Sequence, residues 1–209
     1  MTRRMAVALA AGLVLGAGIA APVGPAAAQP VSRTATCPTP EHAFTPASIT
    51  IPRVVGPTRV LALGRDRNGV PKTPPLTDRG KWEFGWDKES HIRAGSLHGV
   101  LRLNAHTYPR DGSYGLALGN RLLTRLRVGA TLVVNGRGEL RTCYRVVRRI
   151  RVRAEQSVPA YYASNGRPLL AILVCSGVRR GPGDWSHRTI WFAEPVAEAS
   201  PRLGPSGAR

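Results

Sequence analysis

A cysteine, a histidine and an arginine in this chain each lie where an apolar run meets a turn. Cys175 closes LLAILVC, His106 closes LRLNAH, and Arg188 opens RTIWF. A thiolate is a strong nucleophile, an imidazole exchanges protons near neutral pH, and a guanidinium donates a planar set of N–H groups. If the fold brings them together, these three residue types indicate covalent catalysis by a cysteine.

Each of the three residues also has an ordinary structural interpretation when taken alone. Cysteine is among the most buried residue types, so Cys175 could be an inert core residue. His106, at a strand end, could be a surface histidine that hydrogen-bonds locally. Trp185 lies between Cys175 and Arg188 and is a candidate for substrate contact. The other four histidines lie in polar or loop segments and are expected to be solvated or locally bonded: His42, His91, His98 and His187.

Short β-like runs separated by turn signals must position these residues. The expected strands are SITIPRV, RVLALG, KWEFGW, GVLRLNAHT, TLVVN, RTCYRVVRRIRV, PLLAILVC and RTIWFAEPV, with a Gly- and Pro-rich loop before the last. LALGNRLLTRL predicts a helix with Leu118, Leu122 and Leu126 on one face, and SVPAYYAS predicts a single helical turn. The pattern predicts a mainly β fold, a closed barrel of about eight strands with one or two short helices.

The N-terminus has the layout of a secretory signal. A basic MTRRM precedes the apolar AVALAAGLVLGAGIAA, and small residues then favour cleavage before Gln29. An uncleaved N-terminal anchor is the alternative. We therefore expect export to the cell envelope. The expected organisation is a signal peptide (1–28), a Pro/Thr-rich linker (29–47), a β-barrel domain (48–196) and a flexible C-terminal tail (197–209).

The chain is strongly basic, with a formal net charge of +18 and three lysines among its 30 basic residues. Such a charge attracts polyanions. Outside the membrane, anionic wall polymers or lipid headgroups are the expected partners rather than nucleic acid. The run RVVRRIRVR (145–153) is interpreted as a strand with a solvated arginine face. No cysteines are spaced for zinc and the acidic residues do not cluster, so we expect no metal site. We also expect no cofactor and a monomer.

The order of these elements resembles the sortases, the cysteine transpeptidases of Gram-positive envelopes. A strand ending in His106 is followed by a helix, a hairpin, a strand ending in Cys175 and a strand opening on Arg188. SITIPRV, LGRDRNGVPKTPP and WEFGW are similar to the segments that precede the histidine strand of that family. AHTYPRDGSYGLALGN and VCSGVRRGPGDWSHRTIWF resemble actinobacterial class F sortases. The resemblance covers roughly residues 48–196.

The resemblance implies a catalytic trio and a reaction. Cys175 would attack a threonine carbonyl in an LPXTG-like sorting signal and form a thioacyl enzyme. His106 would protonate the leaving amine, and Arg188 would hold the substrate backbone or the developing oxyanion. The implied partners are proteins that bear the signal and an amine acceptor of the envelope.

Two features depart from the family pattern, and two other functions remain open. Sortases are often anchored in the membrane, whereas the N-terminal signal of this chain favours cleavage. Sortases commonly carry Thr before the cysteine, where this chain has Val174, which lacks a hydroxyl for the oxyanion. The alternatives are another secreted cysteine hydrolase or transpeptidase, and a non-enzymatic cationic barrel that binds wall polymers. The L,D-transpeptidase pattern is disfavoured because no histidine closely precedes Cys175.

With Cys175 assigned as the nucleophile, Cys37 and Cys143 are an even pair in an oxidising compartment. A disulfide between them would attach the linker to the barrel wall. The alternative is a buried, reduced Cys143 and a free Cys37 thiol.

Overall fold

The computed structural model describes residues 37–110, 114–181 and 183–196 of the 209-residue chain. The expected signal peptide (1–28) and C-terminal tail (197–209) lie outside the described residues. In the part that is described, no helix has the length and apolarity needed to cross a membrane.

The described residues contain eight strands and two short α-helices. Two 3-10 turns, at 80–82 and 88–90, flank the third strand. The strands are β1 (Ser48–Ile51), β2 (Val55–Leu63), β3 (Phe84–Asp87), β4 (Val100–Ala105), β5 (Thr131–Asn135), β6 (Arg141–Arg153), β7 (Leu169–Gly181) and β8 (Asp184–Pro195). The helices are α1 (Leu118–Arg125), between β4 and β5, and α2 (Pro159–Tyr162), between β6 and β7.

The strands close into one mixed barrel in the order β1-β2-β3-β4-β7-β8-β6-β5. The pairs β2–β3 and β4–β7 are parallel, and the other pairs are antiparallel. Within the described residues, each strand therefore has a neighbouring strand on both sides. The prediction of a mainly β, closed eight-stranded barrel with short helices is confirmed.

Strand β4 shows why the barrel forms from these residues. Leu101, Leu103 and Ala105 alternate along it and enter the main core inside the barrel, together with Leu170 and Val174 of β7. Successive side chains on a strand point to opposite faces, so the intervening residues face outward. A second apolar cluster covers part of that outer face: Val100, Tyr161, Ala171, Ile190 and Phe192. Covered on both faces, β4 is buried at all six positions.

Helix α1 covers the barrel interior. Leu118, Leu122 and Leu126 are fully buried in the main core, as their spacing predicts. Burying a leucine side chain stabilises a fold by roughly 1.5–3 kcal/mol. Packing of this apolar face therefore holds in place a helix that is too short to be stable alone.

Two local predictions from the sequence are wrong. KWEFGW is not one strand, because Trp82 closes a 3-10 turn and β3 begins only at Phe84. The expected loop after Cys175 is mostly strand: β7 runs on to Gly181 and β8 begins at Asp184. Cross-strand pairs between residues 176 and 187 extend the hairpin beyond the apolar residues.

The described part of the expected linker, residues 37–47, is packed on the barrel. Phe44 is buried and exchanges two backbone hydrogen bonds with Ala94. The structure joins Cys37 to Cys143 of β6 in a disulfide with a Cα–Cα distance of 5.2 Å, across 106 positions of sequence. This bond attaches the segment directly to the barrel wall.

Candidate active site

Three neighbouring strands bring the cysteine, the histidine and the arginine together. Ala105 of β4 pairs with Val174 of β7, so His106 and Cys175 leave this parallel pair side by side. Cys175 is the direct cross-strand partner of Arg188 on β8. Adjacent strands are about 4.8 Å apart, so the three residues form a row with Cys175 in the middle.

A cleft of about 820 Å³ lies over this row on the outer face of the barrel. Its floor is built from alternate residues of the central strands. Its walls come from the β2–β3 loop on one side and from the segment around α2 on the other. The floor residues are Asn104, His106, Leu173, Cys175, Arg188 and Ile190. The structure thus places all three candidate catalytic residues in one cleft of a size typical for ligand binding.

His106 is half-buried, and its ring is held by the β2–β3 loop. Its Nε2 atom lies 2.6 Å from the carbonyl oxygen of Pro74. A carbonyl only accepts hydrogen bonds, so Nε2 carries the proton and Nδ1 carries the lone pair. Burial lowers the pKa of His106 below its ordinary value, and the bond to Pro74 partly opposes this. The imidazole is therefore neutral at pH 7 and able to accept a proton.

Cys175 is a half-buried free thiol. Burial raises its pKa, the positive charge of Arg188 partly offsets that rise, and Asp184 adds to it. Its carbonyl oxygen accepts a 2.6 Å hydrogen bond from the hydroxyl of Thr107, which fixes the end of β4 against β7. The resting pair is thus thiol and neutral imidazole, and proton transfer between them generates the thiolate.

Arg188 is oriented by its own hairpin. Its Nη1 donates to the carbonyl oxygens of Trp185 and His187, each at 3.2 Å. Among the described residues no carboxylate pairs with it, and its Nε and Nη2 make no hydrogen bond. The guanidinium can therefore donate to a substrate oxygen. Trp185, the candidate for substrate contact, is largely buried and lines the cleft.

Val174 belongs to the barrel interior rather than to the cleft. It is fully buried in the main core, one position before Cys175 and therefore on the opposite face of β7. A threonine hydroxyl at this position would point into the core in this structure. The absent hydroxyl thus removes nothing from the cleft, contrary to the expectation from the sequence.

A buried ion network, which the sequence did not reveal, connects the two walls of the cleft. Arg102 on β4 donates to the Asp87 carboxylate at 2.9 Å and to the carbonyl oxygens of Tyr161 and Tyr162 at 3.0 and 2.6 Å. Arg65 also donates to Asp87, at 2.7 Å through Nη2. The Asp87 carboxylate therefore binds two arginines: Arg65 at the start of the β2–β3 loop, and Arg102, which fixes α2.

The protonation state of Asp87 follows from this network. Burial raises its pKa, but hydrogen bonds and positive charge from Arg65 and Arg102 outweigh burial and hold the pKa below its ordinary value. The carboxylate is thus ionised at neutral pH. A lone arginine within the apolar run GVLRLNAH was the signal that could have pointed to a buried partner.

Asn104 ties the cleft floor to the same loop. Its Nδ2 donates to the carbonyl oxygen of Lys72 at 3.0 Å. The β2–β3 loop is therefore attached to β4 through Asn104, and to His106 through Pro74. In the described ranges, no group of three or more His, Cys, Asp or Glu side chains is arranged to hold a metal ion.

The fold has clear relatives among solved structures. Sortase C1 of Streptococcus agalactiae, in a complex with MTSET, superposes with a TM-score of 0.53 at 15% identity, covering 75% of this chain and 71% of that one. Sortase C1 of Streptococcus suis gives 0.53 at 16% identity, with 76% of both chains covered. A pilus-related sortase C of Group B Streptococcus gives 0.52 at 14% identity, covering 75% and 69%.

Sequence comparison adds nothing to these matches, since no protein-family model and no curated protein matches the chain. Identities of 14–16% are too low to carry an activity across, because one fold hosts many functions. The closed eight-stranded barrel of this chain has the fold of the sortases.

Proposed function

We propose that this protein is a sortase-like cysteine transpeptidase that cleaves an LPXTG-like sorting signal and transfers the new carboxyl end to an amine of the cell envelope. The observation that carries the proposal is the His106–Cys175–Arg188 row on three adjacent strands under one cleft. The order of these residues along the chain is that of the family. The sortase fold of the neighbours supports the same reaction class.

The first half of the reaction forms a thioester. The Cys175 thiol gives its proton to the neutral imidazole of His106, and the thiolate attacks the threonine carbonyl of the signal. Arg188 donates to the oxyanion that develops on the carbonyl oxygen. When the C–N bond breaks, its electron pair goes to nitrogen, and the imidazolium of His106 supplies the proton that makes the leaving group an amine.

The second half regenerates the thiol. A primary amine of the acceptor attacks the thioester carbonyl, and neutral His106 takes the proton that this nitrogen loses. The C–S bond then breaks, and His106 returns that proton to the Cys175 sulfur. Water in place of the amine would give hydrolysis, so the cleft must favour the acceptor for transfer to dominate.

Within the family, we assign the chain to the class F type. The solved neighbours are class C enzymes. The assignment rests instead on the residues that follow His106 and precede Arg188, AHTYPRDGSYGLALGN and VCSGVRRGPGDWSHRTIWF. Export and cleavage at residue 28 belong to the same proposal, because substrate and acceptor both lie outside the membrane.

A cleavage and transfer assay tests the function. The protein is incubated with a panel of LPXTG-like peptides and triglycine, and the released fragment and the transfer product are both quantified. We expect both products from the wild type and neither from Cys175→Ala, whose thermal stability should be nearly unchanged. Turnover by Cys175→Ala equal to that of the wild type would exclude the mechanism.

Thiol labelling separates the remaining alternatives. Selective labelling of Cys175 by an electrophilic substrate analogue is expected, and His106→Ala should reduce its rate. Labelling without turnover of any peptide in the panel would instead favour another cysteine hydrolase or transpeptidase. If Cys175 does not react at all, the alternative that remains is a non-enzymatic cationic barrel that binds wall polymers.

A further inference from the structure

One face of β6 carries a row of exposed arginines that the proposed reaction does not use. Arg149, Arg151 and Arg153 alternate along the strand and are all exposed. Alternate residues on a strand share one face and are about 6.6 Å apart. We call these three residues the arginine row. The surrounding segment 141–181 contains nine arginines and one acidic residue, Glu155.

The arginine row lies on the opposite face of β6 from the cleft. Ile150 packs in the outer apolar cluster, and Val152 lines the cleft. The row alternates with these two residues, so its side chains point the other way. A ligand on the row would therefore leave the cleft open to substrate.

No carboxylate neutralises the arginine row in the described part of the chain. Every described ion pair involves other basic residues, namely Arg59, Arg65, Arg79, Lys81, Arg102 and Arg167. The described contacts of the row are with two side-chain rings instead. Arg149 lies 5.3 Å from the centre of the Trp191 ring, and Arg151 Nη2 lies 3.4 Å from Nδ1 of His187. The three positive charges remain uncompensated.

The turn after α1 enlarges this positive surface. The amide of Gly129 donates to the carbonyl oxygen of Val146, and the amide of Val146 donates to Ala130. These bonds attach the turn to β6 three positions before the row begins. Arg125 and Arg127, both exposed, lie in this neighbouring segment.

We infer that the arginine row binds a linear anionic polymer of the cell envelope whose charges are phosphodiesters. Guanidinium groups recognise phosphate oxygens through paired N–H donors, and a regular row suits a regularly charged chain better than a single anion. Such binding would hold the protein at the envelope while the cleft turns over substrate.

Two other polyanions fit this surface less well. Proteins that bind single-stranded nucleic acid combine positive charge with exposed aromatic rings for stacking. Of the two described rings in contact with the row, that of Trp191 is only 1% exposed and that of His187 is half-buried, so neither is freely exposed for stacking. Adsorption to a lipid surface gains strength from apolar side chains that enter the bilayer interface, and the exposed large apolar residues of β6 and of the turn after α1 are two short valines, Val147 and Val128.

Binding of a synthetic poly(glycerol phosphate) as a function of salt tests the inference. The test variant is Arg149→Gln/Arg151→Gln/Arg153→Gln. The matched control is Arg67→Gln/Arg93→Gln/Arg137→Gln, which removes the same charge from exposed arginines elsewhere that make no described ion pair. The binding constant K falls as salt rises, and each lost phosphate contact makes the slope of log K against log salt concentration less steep by about 0.7. The test variant, which loses three such contacts, should therefore have a slope that is less steep by about 2.

The outcomes separate the partners. The inference holds if the test variant loses slope and affinity, the control keeps both, and cleavage of a soluble peptide is unchanged in the test variant. Equal losses in both variants would show that only total charge matters and would overturn it. Tighter binding of a single-stranded oligothymidylate or of phosphatidylglycerol vesicles than of poly(glycerol phosphate) would overturn the assignment of the partner.

Discussion

Two segments of the molecule, residues 64–89 and residues 141–181, handle charge in opposite ways. The first contains six basic and five acidic side chains, and its buried Asp87 is paired with the partly exposed Arg65 and with the buried Arg102 of β4. The second contains nine arginines and one acidic residue, and the arginine row on β6 is exposed and unpaired. A buried charge is stable only with a partner, whereas an exposed charge keeps its water and stays available to a ligand. The first segment uses charge for architecture, and we infer that the second uses it for recognition.

Removal of one carboxylate tests whether the paired arginines and the free arginines differ in this way. Asp87→Asn leaves Arg102, whose side chain is 1% exposed, as an uncompensated buried charge. We expect a loss of about 3–5 kcal/mol in the free energy of unfolding, measured by urea denaturation. Arg149→Gln is the matched control and should change that free energy by less than about 0.5 kcal/mol. Similar effects from the two variants would contradict the distinction between paired and free arginines.

The second segment depends on a covalent bond where the first uses ion pairs. Replacing Cys37 and Cys143 together by alanine opens a loop closed across 106 positions. The chain-entropy account gives up to about 4.7 kcal/mol for a loop of this size, and native disulfides usually contribute about 2–5 kcal/mol. Urea denaturation with and without reductant measures the loss. An unchanged midpoint on reduction of the wild type would show that the bond does not stabilise the barrel.

Arg188 is intermediate between the two sets of arginines, since it is partly buried yet held by carbonyl groups rather than by a carboxylate. Arg188→Lys keeps the charge but loses the planar set of donors. We expect kcat/KM for an LPXTG-like peptide to fall by about 100-fold or more, the usual cost of one oxyanion donor. Near-normal turnover by Arg188→Lys would show that Arg188 has only a structural role. Lys72→Arg is the control, because it exchanges the same two residue types outside the His106–Cys175–Arg188 row.

A smaller effect is expected on the pH profile. Burial lowers the pKa of His106 and raises that of Cys175 from their ordinary values. In the proposed mechanism the active form holds one proton between the two groups, so kcat/KM should be flat between the two pKa values. The value of kcat/KM should fall at pH values below the pKa of His106, where His106 gains a proton, and at pH values above the pKa of Cys175, where Cys175 loses its proton. Arg188→Gln should move the upper limb to higher pH, because the positive charge that favours the thiolate is gone.

The sequence predicted the barrel, the helix α1 and the end of β4 next to His106, because these features leave local patterns. Cys175 and Arg188, which were expected at strand ends, instead lie within β7 and β8. Leu118, Leu122 and Leu126 show the helical period, and apolar runs end visibly at turns. The bounds of the last hairpin were wrong because polar residues such as Ser176, Arg179 and His187 continue the strands through backbone pairing. Such pairing leaves no pattern in side chains.

The contacts that shape the cleft could not be predicted from the sequence. Arg102 reaches the carbonyl oxygens of Tyr161 and Tyr162, about sixty positions away, and His106 reaches that of Pro74. A backbone acceptor has no residue type to recognise, and its position depends on the closed barrel. The sequence therefore indicates which residues can react, and only the fold shows what holds them.

Intact-protein mass spectrometry after rapid acid quench detects the proposed thioacyl enzyme itself. The wild type is mixed with an LPXTG-like peptide in the absence of an amine acceptor, and the adduct is located by peptide mapping. We expect a mass increase equal to the acyl fragment, located on Cys175, that disappears when triglycine is added and never forms in Cys175→Ala. Peptide cleavage without any adduct on Cys175, or with an adduct on another residue, would contradict the proposed mechanism.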